Sequence, residues 1–285
     1  MRSNLMLGSM VAALLSLLPS RSVASPESEA TSPWLSDRGP GVATSLFGTY
    51  VARGELLLYP FYEYTWNHDQ EYKPEELGFV GEHDQRGKLT EHEALIFISY
   101  GISEDAAVEL ESALYTTVTL RKAPSDTSAV PNRIRESGFG DTQAELRWRW
   151  LRETQGRPEL WSYSEVVFPF QRNRVLIGTQ DWELIQGFGL TKGFSWGTLT
   201  TRVSATYDGG EGDLQFGEYA IEYLKRIAKG FRLVLAMEGE QDERALIGEA
   251  QWRLGPHARI KLNNAWGLTS KAPDVAPEIG VALTF

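Results

Sequence analysis

Twelve stretches of this chain alternate apolar with polar or charged residues, and no other property narrows its fold as much. A period of two sends successive side chains to opposite faces of a strand. Segment 142–150 is the clearest: Ala144, Leu146, Trp148 and Trp150 share one face, and Gln143, Glu145, Arg147 and Arg149 the other. In 53–66, Leu56, Leu58, Tyr62, Tyr64 and Trp66 oppose Glu55, Glu63 and Thr65. In 106–121, Val108, Leu110, Leu114 and Val118 oppose Glu109, Glu111 and Tyr115. The pattern returns over 89–100, 180–190, 198–207, 216–225, 230–240, 244–254 and 258–268, and is ambiguous over 159–170. The last strand places Ile279, Val281, Leu283 and Phe285 against Glu278, Gly280, Ala282 and Thr284.

Alternation suits a soluble β-sandwich as well as a barrel whose apolar face meets lipid. The connections separate the two. Gaps 67–88, 122–138, 171–179, 208–215 and 269–276 are mostly long, whereas 101–105, 152–158, 191–197, 226–229 and 255–257 are short, with one tight exception at Gln241-Asp242. Long outer loops, short periplasmic turns and an even strand number are the layout of a bacterial outer-membrane barrel. That orientation sorts the aromatics. Tyr62, Tyr64, Trp66, Trp182, Tyr207 and Trp266 fall at the outer interface, and Tyr100, Trp148, Trp150, Tyr223, Phe231, Trp252 and Phe285 at the inner one. Amphipathic rings favour both levels. The expected fold is all-β: an antiparallel up-and-down transmembrane β-barrel of about twelve strands over residues 53–285.

The N-terminus points to export. Arg2 precedes an apolar run over 5–18, too short for a membrane helix, and Ser22-Val23-Ala24 offers small residues for cleavage after Ala24. Residues 1–24 are thus expected to be a signal peptide rather than an uncleaved anchor. Residues 25–52, with Pro33, Gly39, Pro40 and Gly41, read as an irregular segment: either a periplasmic tail or a plug folded into the lumen. The chain has no cysteine, which excludes disulfides, thiolate metal sites and a cysteine nucleophile. Its formal charge is −10, or −12 once Arg2 and Arg21 leave with the signal segment, which argues against nucleic acid as a partner.

Candidate functional residues lie on the charged faces. Arg147, Arg149, Arg232, Arg253, Arg259 and Lys261 fall toward the periplasmic ends of their strands. Glu63, Asp181, Glu183, Glu238 and Glu240 fall toward the outer ends. Charges on a lumen wall either select solutes or neutralise one another across strands, as Glu109 and Glu111 can do beside Arg147 and Arg149. His68 and His83 share an outer loop and read as solvated residues, so no metal site or cofactor is expected. His92 lies near the outer rim, but Ala94 occupies the place where a rim phospholipase would carry its serine, and no Gly-x-Ser-x-Gly elbow is present. An enzyme is therefore not expected, a rim hydrolase being the weaker alternative.

Ser137-Gly138-Phe139-Gly140-Asp141, running straight into the strand 142–150, resembles the motif of outer-membrane proteins named for the meta-pathway of phenol degradation, which are related to other outer-membrane channel barrels. Arg53-Gly54-Glu55-Leu56 and Tyr100-Gly101-Ile102-Ser103 are also similar to that group. Gly138 and Gly140 permit a tight re-entry from loop to strand, and Asp141 can accept backbone N–H bonds there. The resemblance implies a barrel of channel type with a loose link to uptake of small organic compounds, and it supplies no catalytic residues. The expected function is passive passage of a small, organic or aromatic, solute across the outer membrane. The alternative is a structural or assembly barrel without transport. Expected partners are outer-membrane lipid and lipopolysaccharide, the barrel-insertion machinery, which would read the terminal Phe285, and the solute.

Overall fold

A computed structural model describes residues 32–210 and 212–285, and the signal-peptide expectation lies outside those residues. Two short strands come first, β1 (Val42–Ala43) and β2 (Tyr50–Val51), paired with each other. The wall follows: β3 (Leu56–Tyr72), β4 (Gln85–Gly101), β5 (Ala106–Lys122), β6 (Arg133–Gly138), β7 (Thr142–Leu151), β8 (Glu159–Phe168), β9 (Glu183–Phe194), β10 (Gly197–Asp208), β11 (Asp213–Ala228), β12 (Phe231–Glu240), β13 (Glu243–Arg253), β14 (Ala258–Gly267) and β15 (Ala276–Thr284). Each wall strand is antiparallel to its neighbours, and β15 pairs with β3 from Glu278↔Glu63 to Thr284↔Leu57. Phe285 and Leu56 exchange both backbone hydrogen bonds at the seam. The ring is therefore closed, with twelve strands and β6 as an extra one. Closure pairs each of the twelve ring strands on both edges, which a bilayer demands because it offers no water.

The outer surface is apolar. Leu110, Leu146, Leu184, Leu235, Leu246 and Ile279 are all exposed, and so are the girdle residues Tyr62, Trp66, Trp182, Tyr207 and Trp266 above and Tyr100, Trp148, Trp150, Trp252 and Phe285 below. Several polar groups on this face are hydrogen-bonded. Ser112 meets Thr142 at 2.7 Å, Trp150 Nε1 donates to Ser162 at 2.9 Å, Ser164 donates to Gln186 at 2.6 Å, and Gln186 donates to the Tyr163 carbonyl. Such pairing removes the cost of unsatisfied polar atoms against lipid.

Several expectations change, three of them between β3 and β7. First, β3 and β4 run past the membrane to Tyr72 and from Gln85, so the outer gap there shrinks from 67–88 to 73–84. Second, the β4–β5 register shifts between Ala94 and Leu95, placing a bulge at Leu114. One extra residue reverses the faces beyond it. Tyr115 is 54 % exposed and Val118 only 2 %, the opposite of strict alternation. Third, the gap 122–138 contains β6, which continues β7 along the outer half of β5.

The ambiguous segment resolves as β8, with Trp161 and Tyr163 buried inward and Ser162, Ser164 and Val166 on the outer face. The rings lie against β9, where a Cβ at Gly187 would stand 2.1 Å from Tyr163 and one at Gly189 2.1 Å from Trp161. Only glycine permits that approach.

Candidate functional site

The residues ahead of the wall meet inward-facing side chains of many strands. A turn at Pro33–Leu35 leads to β1, and the loop 44–49 connects β1 to β2. Arg38 donates to Glu153 and Glu159, each at 3.0 Å, with all three side chains 1 % exposed. Arg149 donates to the Gly41 carbonyl at 2.6 Å and pairs with Glu159 at 3.2 Å. Glu109 accepts from the Ser45 amide and hydroxyl at 3.0 and 2.8 Å. Glu222 accepts from the Gly48 amide at 3.0 Å, where φ is +60°. Lys261 donates to the Phe47 carbonyl at 3.3 Å, and the Arg202 guanidinium lies 4.8 Å from the Phe47 ring centre. The segment thus supplies carbonyls and amides that buried wall charges would otherwise lack.

Beside the loop tip is a cavity of about 650 Å³, whose apolar lining includes Leu46, Phe47, Phe61 and Leu95. Thirteen carboxylates and four basic residues line it, so acidic side chains outnumber basic ones. Three of the four bases are already paired: Arg147 with Glu145 and Glu109, Arg202 with Glu218 and Glu238, and Lys261 with Glu249. Glu183, Thr206, Glu240 and Glu243 are shared with a second cavity of about 560 Å³, whose lining includes the loop residues Glu76, Leu77 and Asp242. An apolar cluster of Tyr72, Leu77, Leu120 and Val130 lies beside that second space.

The charges named from the sequence fall into separate groups. Glu63, Glu183, Glu238 and Glu240 line the large cavity. Arg147, Arg149 and Lys261 are buried in ion pairs against the N-terminal segment. Arg147 lies within reach of Glu109 at 3.3 Å, whereas Arg149 turns to Asp105 and Glu159 and not to Glu111. Arg232, Arg253 and Arg259 stand at the strand ends near the short turns. Asp181 is displaced from its expected strand: β9 begins at Glu183, and Asp181 is an exposed loop residue whose carboxylate faces Gly210.

Gly138, Gly140 and Asp141 bridge β6 and β7. Gly140 donates its amide to the Ala113 carbonyl, and a Cβ there would stand 2.6 Å from Thr116 Oγ1. Asp141 accepts from the Thr179 amide at 2.8 Å, and Glu136 accepts from the Val175 and Leu176 amides. The motif therefore fastens the outer loop 169–182 to the wall. Sequence reasoning missed Arg38, because irregular segments carry no periodicity. It also missed Arg202 and Arg226, which stand on charged faces like the residues it chose and were separable only by their partners.

In the short turn after β4, Arg152 donates two bonds to Asp105, each 2.8 Å, and Arg149 a third. Those bonds, Arg152's first, hold the Asp105 carboxyl below its ordinary range.

No family model matches the chain, and no curated protein matches it. Solved structures do. The translocator domain of the autotransporter NalP from Neisseria meningitidis aligns at 10 % identity and TM-score 0.46, covering 82 % of this chain and 89 % of that one. The Ralstonia pickettii toluene transporter TbuX aligns at 8 % identity and TM-score 0.39, covering 82 % and 89 %. The monoaromatic hydrocarbon channel CymD aligns at 9 % identity and TM-score 0.42, over the same shares. These likenesses are distant. The closed even-stranded ring, its apolar band and its two aromatic girdles are themselves the features of a β-barrel of the Gram-negative outer membrane.

Proposed function

We propose that the chain is a channel for passive entry of a small organic solute, with residues 32–52 as its plug. The supporting observation is the acid-lined cavity with its apolar patch at Leu46 and Phe47, sharing its lining with a second cavity among the outer loops. A charged wall concentrates counter-ions and polar solutes at the mouth, and the patch suits the apolar part of an organic molecule. Glu63, Glu183, Glu238 and Glu240 are assigned to outer selectivity, while Arg147, Arg149 and Lys261 seat the plug. Passage then requires residues 32–52 to shift, because they occupy side chains that face the lumen.

Single-channel recording tests this. Refolded mature protein should conduct little, and removal of residues 25–50 should produce stable, cation-selective openings. Glu238→Gln with Glu240→Gln should move selectivity toward anions. No conductance from either protein would defeat the channel reading and leave a structural barrel in its place.

A further inference from the structure

Basic residues gather on the outward face of β4, β5 and β6, beyond the upper aromatic girdle. On β4 the outward row passes from Tyr100 through Ile96 to His92, which meets the girdle ring Tyr62 at 2.6 Å, and ends farther out at Lys88. From the exposed Phe139, the chain of β6 read outward shows Ser137, Arg135 and Arg133 on the same face. Strand pairing sets Lys88 opposite Arg121, Arg121 opposite Arg133, and Arg135 opposite Thr119. The alternate residues Leu89, Leu120 and Ile134 also stand in register and pack with Tyr72 and Leu77 on the inner side. The four bases therefore point away from the lumen, and all four are exposed.

Like charges directly opposite on paired strands work against folding. Among the described residues, no carboxylate lies within 4.0 Å of Lys88, Arg121, Arg133 or Arg135. The bases beside them are paired: Arg86 with Glu71 at 2.6 Å, and Lys122 with Asp126 at 3.6 Å. The chain carries 38 acidic residues against 28 basic ones, so carboxylates are not scarce, and this row is left without them. Just below it the exposed rings Tyr115 and Phe139 continue the lipid-facing surface. Positive charge above apolar rings, on one outward face, complements a lipid with an anionic headgroup over its acyl chains.

We propose that Lys88, Arg121, Arg133 and Arg135 form a site for the phosphate groups of lipopolysaccharide in the outer leaflet, with Tyr115 and Phe139 against its acyl chains. A planar guanidinium fork matches phosphate, and basic clusters at a membrane surface take anionic headgroups. The row faces the lipid side of the wall, which sets it apart from any solute in the lumen. The proposal rests on the outer-membrane barrel and not on the channel, so equilibrium binding reads it whether or not the lumen conducts.

Native mass spectrometry of the refolded mature protein, in non-ionic detergent freed of divalent cations, tests it by titration with deep-rough lipopolysaccharide. Saturable binding is expected, weakened about 10-fold or more by Arg121→Gln with Arg133→Gln, in line with the loss of two surface charges. Lys88→Gln should weaken it severalfold and serves if the double variant does not fold. Lys229→Gln makes the same change of charge on an exposed short turn and should leave binding unaltered. Dephosphorylated lipopolysaccharide should bind wild type about 10-fold more weakly or worse. Absence of saturable binding by folded wild type up to about 100 μM lipid overturns the proposal. So does equal binding of the dephosphorylated lipid, binding that the arginine substitutions leave unchanged, or an equal loss with Lys88→Gln and Lys229→Gln. Saturable, arginine-dependent binding of inorganic phosphate without binding of the lipid identifies a soluble anion as the occupant and overturns it as well.

Discussion

Replacing Arg38 with Met should loosen the N-terminal segment more than any other single change. Its guanidinium bridges Glu153 and Glu159, and all three side chains are 1 % exposed. Removing one partner of a buried ion pair costs about 3–5 kcal/mol, because a charge is left uncompensated. Here the loss is cushioned: Glu159 keeps Arg149 at 3.2 Å, and Glu153 keeps Lys192 at 3.2 Å. The lower bound of about 3 kcal/mol applies, and at about 1.4 kcal/mol per decade the released fraction rises on the order of 100-fold. Two readouts follow it. The ratio of open to closed dwell time in single-channel records should rise by that factor. The cysteine-free chain also allows Phe47→Cys to be labelled cleanly, and its rate with a thiol reagent should rise in parallel when Arg38 is Met. A folded Arg38→Met protein with unchanged labelling and dwell times would refute the idea that this ion-pair bridge seats the segment.

Further outcomes follow from other parts of the wall. Cysteines at Ser125 or Asp84, in the long loops, should react with an impermeant reagent on intact cells while one at Ser103 should not, and labelling at Ser103 alone would invert the topology. Gly189→Val should drive a methyl group into Trp161, costing about 1–3 kcal/mol as overpacking does, read as a lower temperature for loss of heat-modifiability. Phe285→Ala should reduce the folded protein recovered from the outer membrane, and normal recovery would show that the terminal ring is dispensable. The depressed Asp105 carboxyl stabilises its turn above the unfolded value of about 3.9, and that contribution disappears as pH falls through the lower folded value. Hydrogen exchange at 102–105 should accelerate below that point, and Asp105→Asn should abolish the pH step.

How much was legible depended on what a two-residue period can carry. It placed Leu146, Trp148 and Trp150 outward and Glu145, Arg147 and Arg149 inward, because burial on either face of a strand obeys that period. It failed at Leu114, where an inserted residue leaves no compositional mark, so Tyr115 and Val118 exchanged faces. It was ambiguous in β8, where Ser162 and Ser164 stand on the lipid side and Trp161 and Tyr163 on the lumen side, reversing the usual colouring. The polar pair partners Trp150 and Gln186 that make this tolerable come from other strands. The charged rows were readable as rows. Which arginines had carboxylates was not, since Arg149 and Arg232 differ only in what the fold brings to them.

Strand number sets the circumference of a barrel, yet the width left for passage is a separate quantity. Trp161 and Tyr163 lie against two glycines of β9, and Tyr59 and Phe97 are buried on β3 and β4, so in the proposed channel part of the bore would stay lined by aromatic rings after the N-terminal segment shifted. Twelve strands here need not give the aperture that twelve strands allow. If the barrel conducts as proposed, ring-and-glycine pairs such as Trp161 with Gly189 and Tyr163 with Gly187 would set its size cut-off, and exchanging those pairs would change it without changing the strand number.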